Sequence, residues 1–301
     1  MAESVAPPNP LEGIAPEPGV AKPDPILVVD DLRRSFGGLT AVDVSHLEFQ
    51  RGAITAIIGP NGAGKTTFFN LVTGFDAPND GNWRYDGRRL KGRGAHRIAR
   101  AGMVRTFQLT KTLAKLTVLD NMMLAAQGQG GERIDRALIR WSWAAREEQI
   151  RVQAEALLDE FGIAHMKDEY AGTLSGGQRK LLEMARALMA KPRLIMLDEP
   201  TAGVNPALTQ SLLEHVRGLR DQGVTVVFVE HDMDVVMDIS DWVVVMAQGA
   251  VLAEGPPVTV ASNPQVIEAY LGRSTSDGSG ETPGKEPRSR ETGDEQVPED
   301  G

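Results

Sequence analysis

The run Gly59-Pro60-Asn61-Gly62-Ala63-Gly64-Lys65-Thr66 carries the most specific chemistry in the chain. It fits G-x-x-x-x-G-K-[ST] at every fixed position. Its glycines let the backbone curl, so that N–H groups converge on phosphate oxygens. Lys65 is a point charge for β- and γ-phosphates. The Thr66 hydroxyl is a hard oxygen ligand suited to Mg²⁺, and Thr67 stands beside it. A glycine-rich turn with an incidental lysine is the alternative, and context argues against it. The apolar run Ile54–Ile58 precedes, and a helical stretch follows over Thr67 to Thr73, with Gly74 as its stop. A helix start at this point adds N–H donors and a positive dipole end.

Further along, Leu194-Ile195-Met196-Leu197 ends in Asp198-Glu199. In an open parallel sheet, ligands gather at the carboxyl ends of strands, so this pair and the phosphate loop can meet at one edge. Asp198 suits the shell of Mg²⁺, and Glu199 suits polarising a water. Two acids after a strand, taken alone, read as a solvated loop; the phosphate loop upstream reverses that weighting. Leu174-Ser175-Gly176-Gly177-Gln178 supplies a second glycine-rich helix start. Ser175 reads as the N-cap of a helix over Gln178 to Ala190, with Leu181, Ala185 and Leu188 on one face. That is a second anion site by the same physics. One nucleotide does not need two cradles from one chain, so two copies are expected, each cradle facing the other's nucleotide.

The elements that must position these residues alternate. Strands are predicted at Ile26–Val29, Val42–Phe49, Ile54–Ile58, Leu194–Leu197 and Val224–Val229, with helical patterns between, which predicts an α/β core with a parallel sheet. Val243–Met246 and Val251–Glu254 flank Gln248-Gly249-Ala250 and read as a closing hairpin. Between about 110 and 190 the pattern turns helical, over Ile134–Glu148 and Ile150–Phe161, and predicts an all-helical insertion. Residues 1–25 are rich in Pro, Ala, Glu and Gly and read as a disordered leader. Residues 273–301 read as a disordered acidic tail. No repeat is found.

With the loop, the acids and the serine-glycine tip in this order, the chain resembles the ABC ATPase family from about Ile26 to Gly272. Leu174–Gln178 (LSGGQ) resembles that family's signature motif. Gln108, in Arg105-Thr106-Phe107-Gln108, resembles its Q-loop glutamine, and His231 its switch histidine. Pro200–Pro206 resembles its D-loop, with Asn205 where many members have Asp. Phe36 resembles the aromatic residue that stacks on adenine, where Tyr is frequent. The resemblance implies a P-loop NTPase core, a small antiparallel β subdomain and a helical insertion. It implies that two cassettes, this chain with a second copy or with a different ABC ATPase subunit, sandwich two Mg-ATP: Gly59 to Thr67 hold one, and Ser175, Gly176, Gly177 and Gln178 at the facing signature motif close over its γ-phosphate. Catalytic roles fall on Glu199, His231 and Gln108, and metal roles on Thr66, Gln108 and Asp198.

Composition limits the partners. The net charge is −9, which argues against a general nucleic-acid binder. With no cysteine, disulfides and thiolate metal sites are excluded. No stretch approaches the roughly 20 apolar residues of a membrane-spanning helix. The amino terminus lacks the basic and apolar regions of a secretory signal. The chain is therefore expected to stay inside the cell, with any membrane role through a partner. The resemblance implies a peripheral place on the cytoplasmic face of the cell membrane, on transmembrane permease subunits and, indirectly, a substrate-binding protein. Val104–Gln108, Gly74-Phe75 and Glu230–Met237 resemble the ATPase subunits of branched-chain amino acid importers. Urea and amide importers share these features, and lipopolysaccharide-export ATPases share some. Permease docking is expected at Leu109 to Asn121. A soluble ABC ATPase of translation or DNA repair is the reading from another class; such proteins usually carry two cassettes or a long coiled coil, and neither is seen here.

Overall fold

The computed structural model describes residues 10–106, 113–126 and 141–271. Ten strands and nine α-helices occur among the described residues, in two sheets. The first sheet is antiparallel, in the order β2 (Leu39–Gln50), β1 (Pro25–Phe36), β4 (Asp80–Tyr85), β5 (Arg88–Arg89). The second runs β10 (Ala250–Gly255), β9 (Trp242–Ala247), β3 (Ile54–Ile58), β8 (Thr225–Val229), β7 (Leu194–Asp198), β6 (Met103–Arg105). It is parallel throughout except that β10 pairs antiparallel with β9.

The short apolar runs became central strands because each buries both faces. On β3, Ile54, Ala56 and Ile58 face a core shared with the helices, while Ile57 faces a core shared with the antiparallel sheet. Leu194 and Met196 oppose Ile195 and Leu197 on β7 in the same way. That double burial removes the alternation a one-faced strand would show. Helix α1 (Lys65–Val72) follows the phosphate loop and buries Phe68, Phe69, Leu71 and Val72. Gly74 takes φ of 74° just past its end, in the left-handed region glycine favours. Helices α2 (Ala95–Arg100), α3 (Val118–Ala125), α4 (Trp141–Glu160) and α5 (Gly176–Leu188) come next. The last three fall within the span expected to be helical. Beyond β7, α6 (Pro206–Asp221), α7 (Met233–Ile239), α8 (Pro257–Ala261) and α9 (Pro264–Leu271) are the remaining α-helices among the described residues. The closing hairpin turns on Gln248 and Gly249, both at positive φ.

The expected leader is corrected in part. Residues 10–25 are placed against the sheets: Leu11 is buried with β1 and β2 residues, and the Lys22 ammonium sits 2.8 Å from the buried Glu254 carboxylate. Composition hid this because a few anchors among prolines are enough to dock an extended segment. The tail from 273 and the expected helical stretch over 134–140 lie outside the described residues. Strands β4 and β6 were not anticipated, since Asp80–Tyr85 is polar and β6 is only three residues long.

Candidate functional site

Four parallel strands, adjacent in the order β3-β8-β7-β6, end at one edge of the sheet. Their carboxyl ends feed, in turn, the Gly59–Thr66 loop, Glu230-His231, Asp198-Glu199, and Arg105-Thr106 leading toward Gln108. Gln108 itself lies outside the described residues. Parallel pairing is what brings residues so distant in sequence to one edge.

The phosphate loop is held by tight backbone packing. A Cβ at Gly59, where φ is 146°, would lie 2.1 Å from the Met246 carbonyl oxygen; one at Gly64, where φ is 98°, would lie 2.2 Å from that of Ala41. The hairpin turn supports the loop from behind, with the Gly249 amide donating to the Ala63 carbonyl at 3.0 Å. The Ala63 amide donates to the Pro60 carbonyl at 3.1 Å and closes the curl. Lys65 Nζ donates to the carbonyls of Gly59 and Pro60 at 2.5 and 3.1 Å, so its ammonium arches over the loop. No side chain caps α1 at Gly64, so the positive end of this helix faces the loop without a side-chain cap. Asn61, Gly62 and Thr66 are exposed, and Thr67 is half-buried. A lysine, a hydroxyl and an uncapped helix start form a donor set for a polyphosphate.

The acids stand at the end of β7. Asp198 accepts from Arg105 Nη2 at 2.5 Å, and Arg105 Nη1 donates to Asn70 Oδ1 on α1 at 2.6 Å. The guanidinium thus ties the acid strand to the helix that follows the phosphate loop. Glu199 has φ of 47°, rare for a non-glycine residue. Its turn is restrained from two sides: its amide donates to the Val229 carbonyl at 3.0 Å, and Lys180 Nζ donates to its carbonyl at 3.1 Å. His231 is exposed, at 67% of its side chain, and follows the fully buried Glu230.

Ser175 is the N-cap of α5, as its position predicts. Its Oγ accepts from the Gln178 amide at 3.3 Å, and Gln178 Oε1 accepts from the Ser175 amide at 2.9 Å. Ser175 and Gly176 are exposed, whereas Gly177 is buried. A Cβ at Gly177 would lie 2.6 Å from Leu208 Cδ1, so this tip packs on the start of α6. Asn205 caps α6, accepting from the Leu208 amide at 2.9 Å, a task Asn and Asp perform alike. Phe36 stands at the end of β1, 48% exposed, with the Arg34 guanidinium 4.5 Å from its ring centre.

The residue list drawn from sequence lacks Arg105, Asn70, Lys180 and Glu230. Arg105 and Glu230 flank motif residues, and a charge directly after an apolar strand was the available signal. Lys180 and Asn70 gave none, because their partners are distant in sequence.

A family model described as "ABC transporter" matches residues 42–202. The chain belongs to the ABC transporter family, as one of its nucleotide-binding, ATP-hydrolysing cassettes. A second model, described as "Branched-chain amino acid ATP-binding cassette transporter", matches residues 250–275, which hold β10, α8 and α9. The chain is 42% identical over 252 residues to the probable branched-chain amino acid transport ATP-binding protein LivG of Archaeoglobus fulgidus, covering 84% of this chain and 97% of that one. It is 43% identical over 250 residues to the high-affinity branched-chain amino acid transport ATP-binding protein BraF of Pseudomonas aeruginosa, covering 82% and 98%. A solved nucleotide-free ATP-binding cassette from an ABC transporter superposes with a TM-score of 0.72 at 36% identity, covering 82% and 98%.

Proposed function

We propose that this chain powers the uptake of branched-chain amino acids, by ATP-driven pairing and hydrolysis-driven release of two cassettes on the cytoplasmic face of the membrane. The observation that carries the site assignment is the single sheet edge where Lys65, Asp198, Glu199 and His231 follow adjacent parallel strands. The names of the relatives carry the substrate. Among the described residues no helix is long and apolar enough to cross a membrane, which fits a subunit docked on permease partners.

In this reading Lys65 and the amides from Gly59 to Thr67 bind the phosphates, and Phe36 offers its ring to adenine. Ser175, Gly176, Gly177 and Gln178 of a second copy close the γ-phosphate from the other side. Glu199 orients the attacking water and takes up its proton as phosphate separates from ADP. His231 bonds the γ-phosphate, and Gln108 couples the site to the helical insertion. Once the phosphates part, the clamp between copies weakens. Mg²⁺ fits the donor set. Thr66 and Asp198 are hard oxygens, Asp198 is anchored to α1 through Arg105, and Gln108 would join them. No group of three His, Cys, Asp or Glu gathers as a metal cage among the described residues. Mg²⁺ needs none, because phosphates and water fill most of its shell. Bound there, it would neutralise developing charge on the phosphates.

Permease docking is assigned to the stretch from 109 to 121. Residues 109–112 lie outside the described residues; among the described ones, Arg100, Thr106, Ala125 and Arg186 line part of a groove of about 320 Å³. The test is Glu199→Gln. With Mg-ATP the full chain should bind nucleotide, accumulate as a pair on size exclusion, and lose nearly all turnover. Cells carrying the variant should lose uptake of labelled leucine. Normal hydrolysis by the variant would refute the assignment of Glu199, and retained leucine uptake would refute the substrate.

A further inference from the structure

Glu230 is fully buried, and none of the roles assigned above uses it. A carboxylate without water must be repaid by hydrogen bonds. Its Oε1 accepts from the Thr201 amide at 3.0 Å and from the Thr201 hydroxyl at 2.6 Å, and its Oε2 accepts from the His231 amide at 3.3 Å. The His231 imidazole Nδ1 lies 3.8 Å from the same Oε2. These donors belong to two different segments. Thr201 stands two residues after Glu199, in the turn that leads to Asn205 and α6. His231 opens the segment after β8. The β7–β8 ladder ends at Asp198 opposite Val229, and the last backbone bond beyond it joins the Glu199 amide to the Val229 carbonyl. Past that point no backbone hydrogen bond joins the two segments among the described residues, and the Glu230 carboxylate carries the connection on. The need is physical: Glu199 holds a left-handed φ that its side chain disfavours, and His231 is exposed on an irregular segment.

We infer that Glu230 is the positioning residue that keeps Glu199 and His231 in register, so that the water-activating acid and the imidazole on the γ-phosphate act as one unit. The inference rests on the hydrolytic reading of the site. Because Thr201 begins the turn toward Asn205, displacement of that turn reaches His231 through one side chain.

Glu230→Gln isolates the effect. An amide has one acceptor, and Thr201 offers two donors against one from His231. The Gln oxygen therefore stays with Thr201, and its NH₂ meets the His231 amide donor to donor. Volume and the Thr201 bonds are kept. In the full chain kcat should fall about tenfold or more, with the KM for ATP within about twofold of wild type. The unfolding midpoint should stay within about 2 °C. In a His231→Ala background the same change should cost less than about twofold, because the residue it positions is gone. Should His231→Ala leave no measurable turnover, the cycle is read from ATP-driven pairing in the Glu199→Gln background. Wild-type kcat in Glu230→Gln, or an equal loss in both backgrounds, overturns the inference. A fall in kcat accompanied by a large drop in the unfolding midpoint assigns Glu230 to stability alone and overturns it as well. Wild-type turnover in His231→Ala itself is a different result: it removes the role of His231 in hydrolysis, and this inference falls with it.

Discussion

Replacing Lys22 with Met should destabilise this protein by several degrees. The side chains of Lys22 and Glu254 are 1% and 0% exposed, and Nζ lies 2.8 Å from Oε2. Glu254 also accepts from Trp242 Nε1 at 2.8 Å and from the Gly19 amide at 2.6 Å, while the ammonium stands 4.4 Å from the centre of the Trp242 ring. Met keeps most of the stem and removes the charge, which strands a buried carboxylate with two neutral donors. Breaking a buried pair on one side costs about 3–5 kcal/mol. The two remaining hydrogen bonds place this case near the lower end, about 3 kcal/mol. For a domain of this size each kcal/mol moves the midpoint by about 2–4 °C, so a drop of about 6–12 °C is expected by calorimetry at neutral pH. Lys22→Met/Glu254→Gln should recover part of that loss, since no charge is then left unpaired. A Lys22→Met midpoint within about 1 °C of wild type, or a double variant less stable than the single one, would refute the reasoning.

Gly59→Ala should weaken ATP binding at least about tenfold in a fluorescent-nucleotide titration, because the new Cβ falls 2.1 Å from the Met246 oxygen and a φ of 146° costs a non-glycine residue about 1–3 kcal/mol, so the loop must leave its phosphate-binding shape. Unchanged affinity would show that the loop tolerates the shift. Arg105→Met should lower kcat about tenfold or more, since Asp198 and Asn70 lose the guanidinium joining them, a charged hydrogen bond being worth about 1.5–3 kcal/mol. Wild-type turnover in that variant would show that Asp198 keeps its place without help.

The phosphate loop, the acid pair and the serine-glycine tip were legible in the sequence because each is a local device. Its backbone conformation and its cap are set by neighbours within a few residues, so spacing alone exposes it. Ser175 needs only Gln178 to cap α5, and Ile54–Ile58 needs only its own apolar run to become a central strand. What the sequence left open depends on partners that only the parallel sheet brings together. Nothing near Arg105 names Asp198, and nothing near Lys180 names Glu199. The docking of Lys22 on Glu254 joins residues 232 positions apart. Glycine at 59 and 64 was expected for the curl of the loop. That both also sit against the carbonyls of Met246 and Ala41 was decided by packing, because close approach of distant backbones leaves no trace in the pattern of either segment.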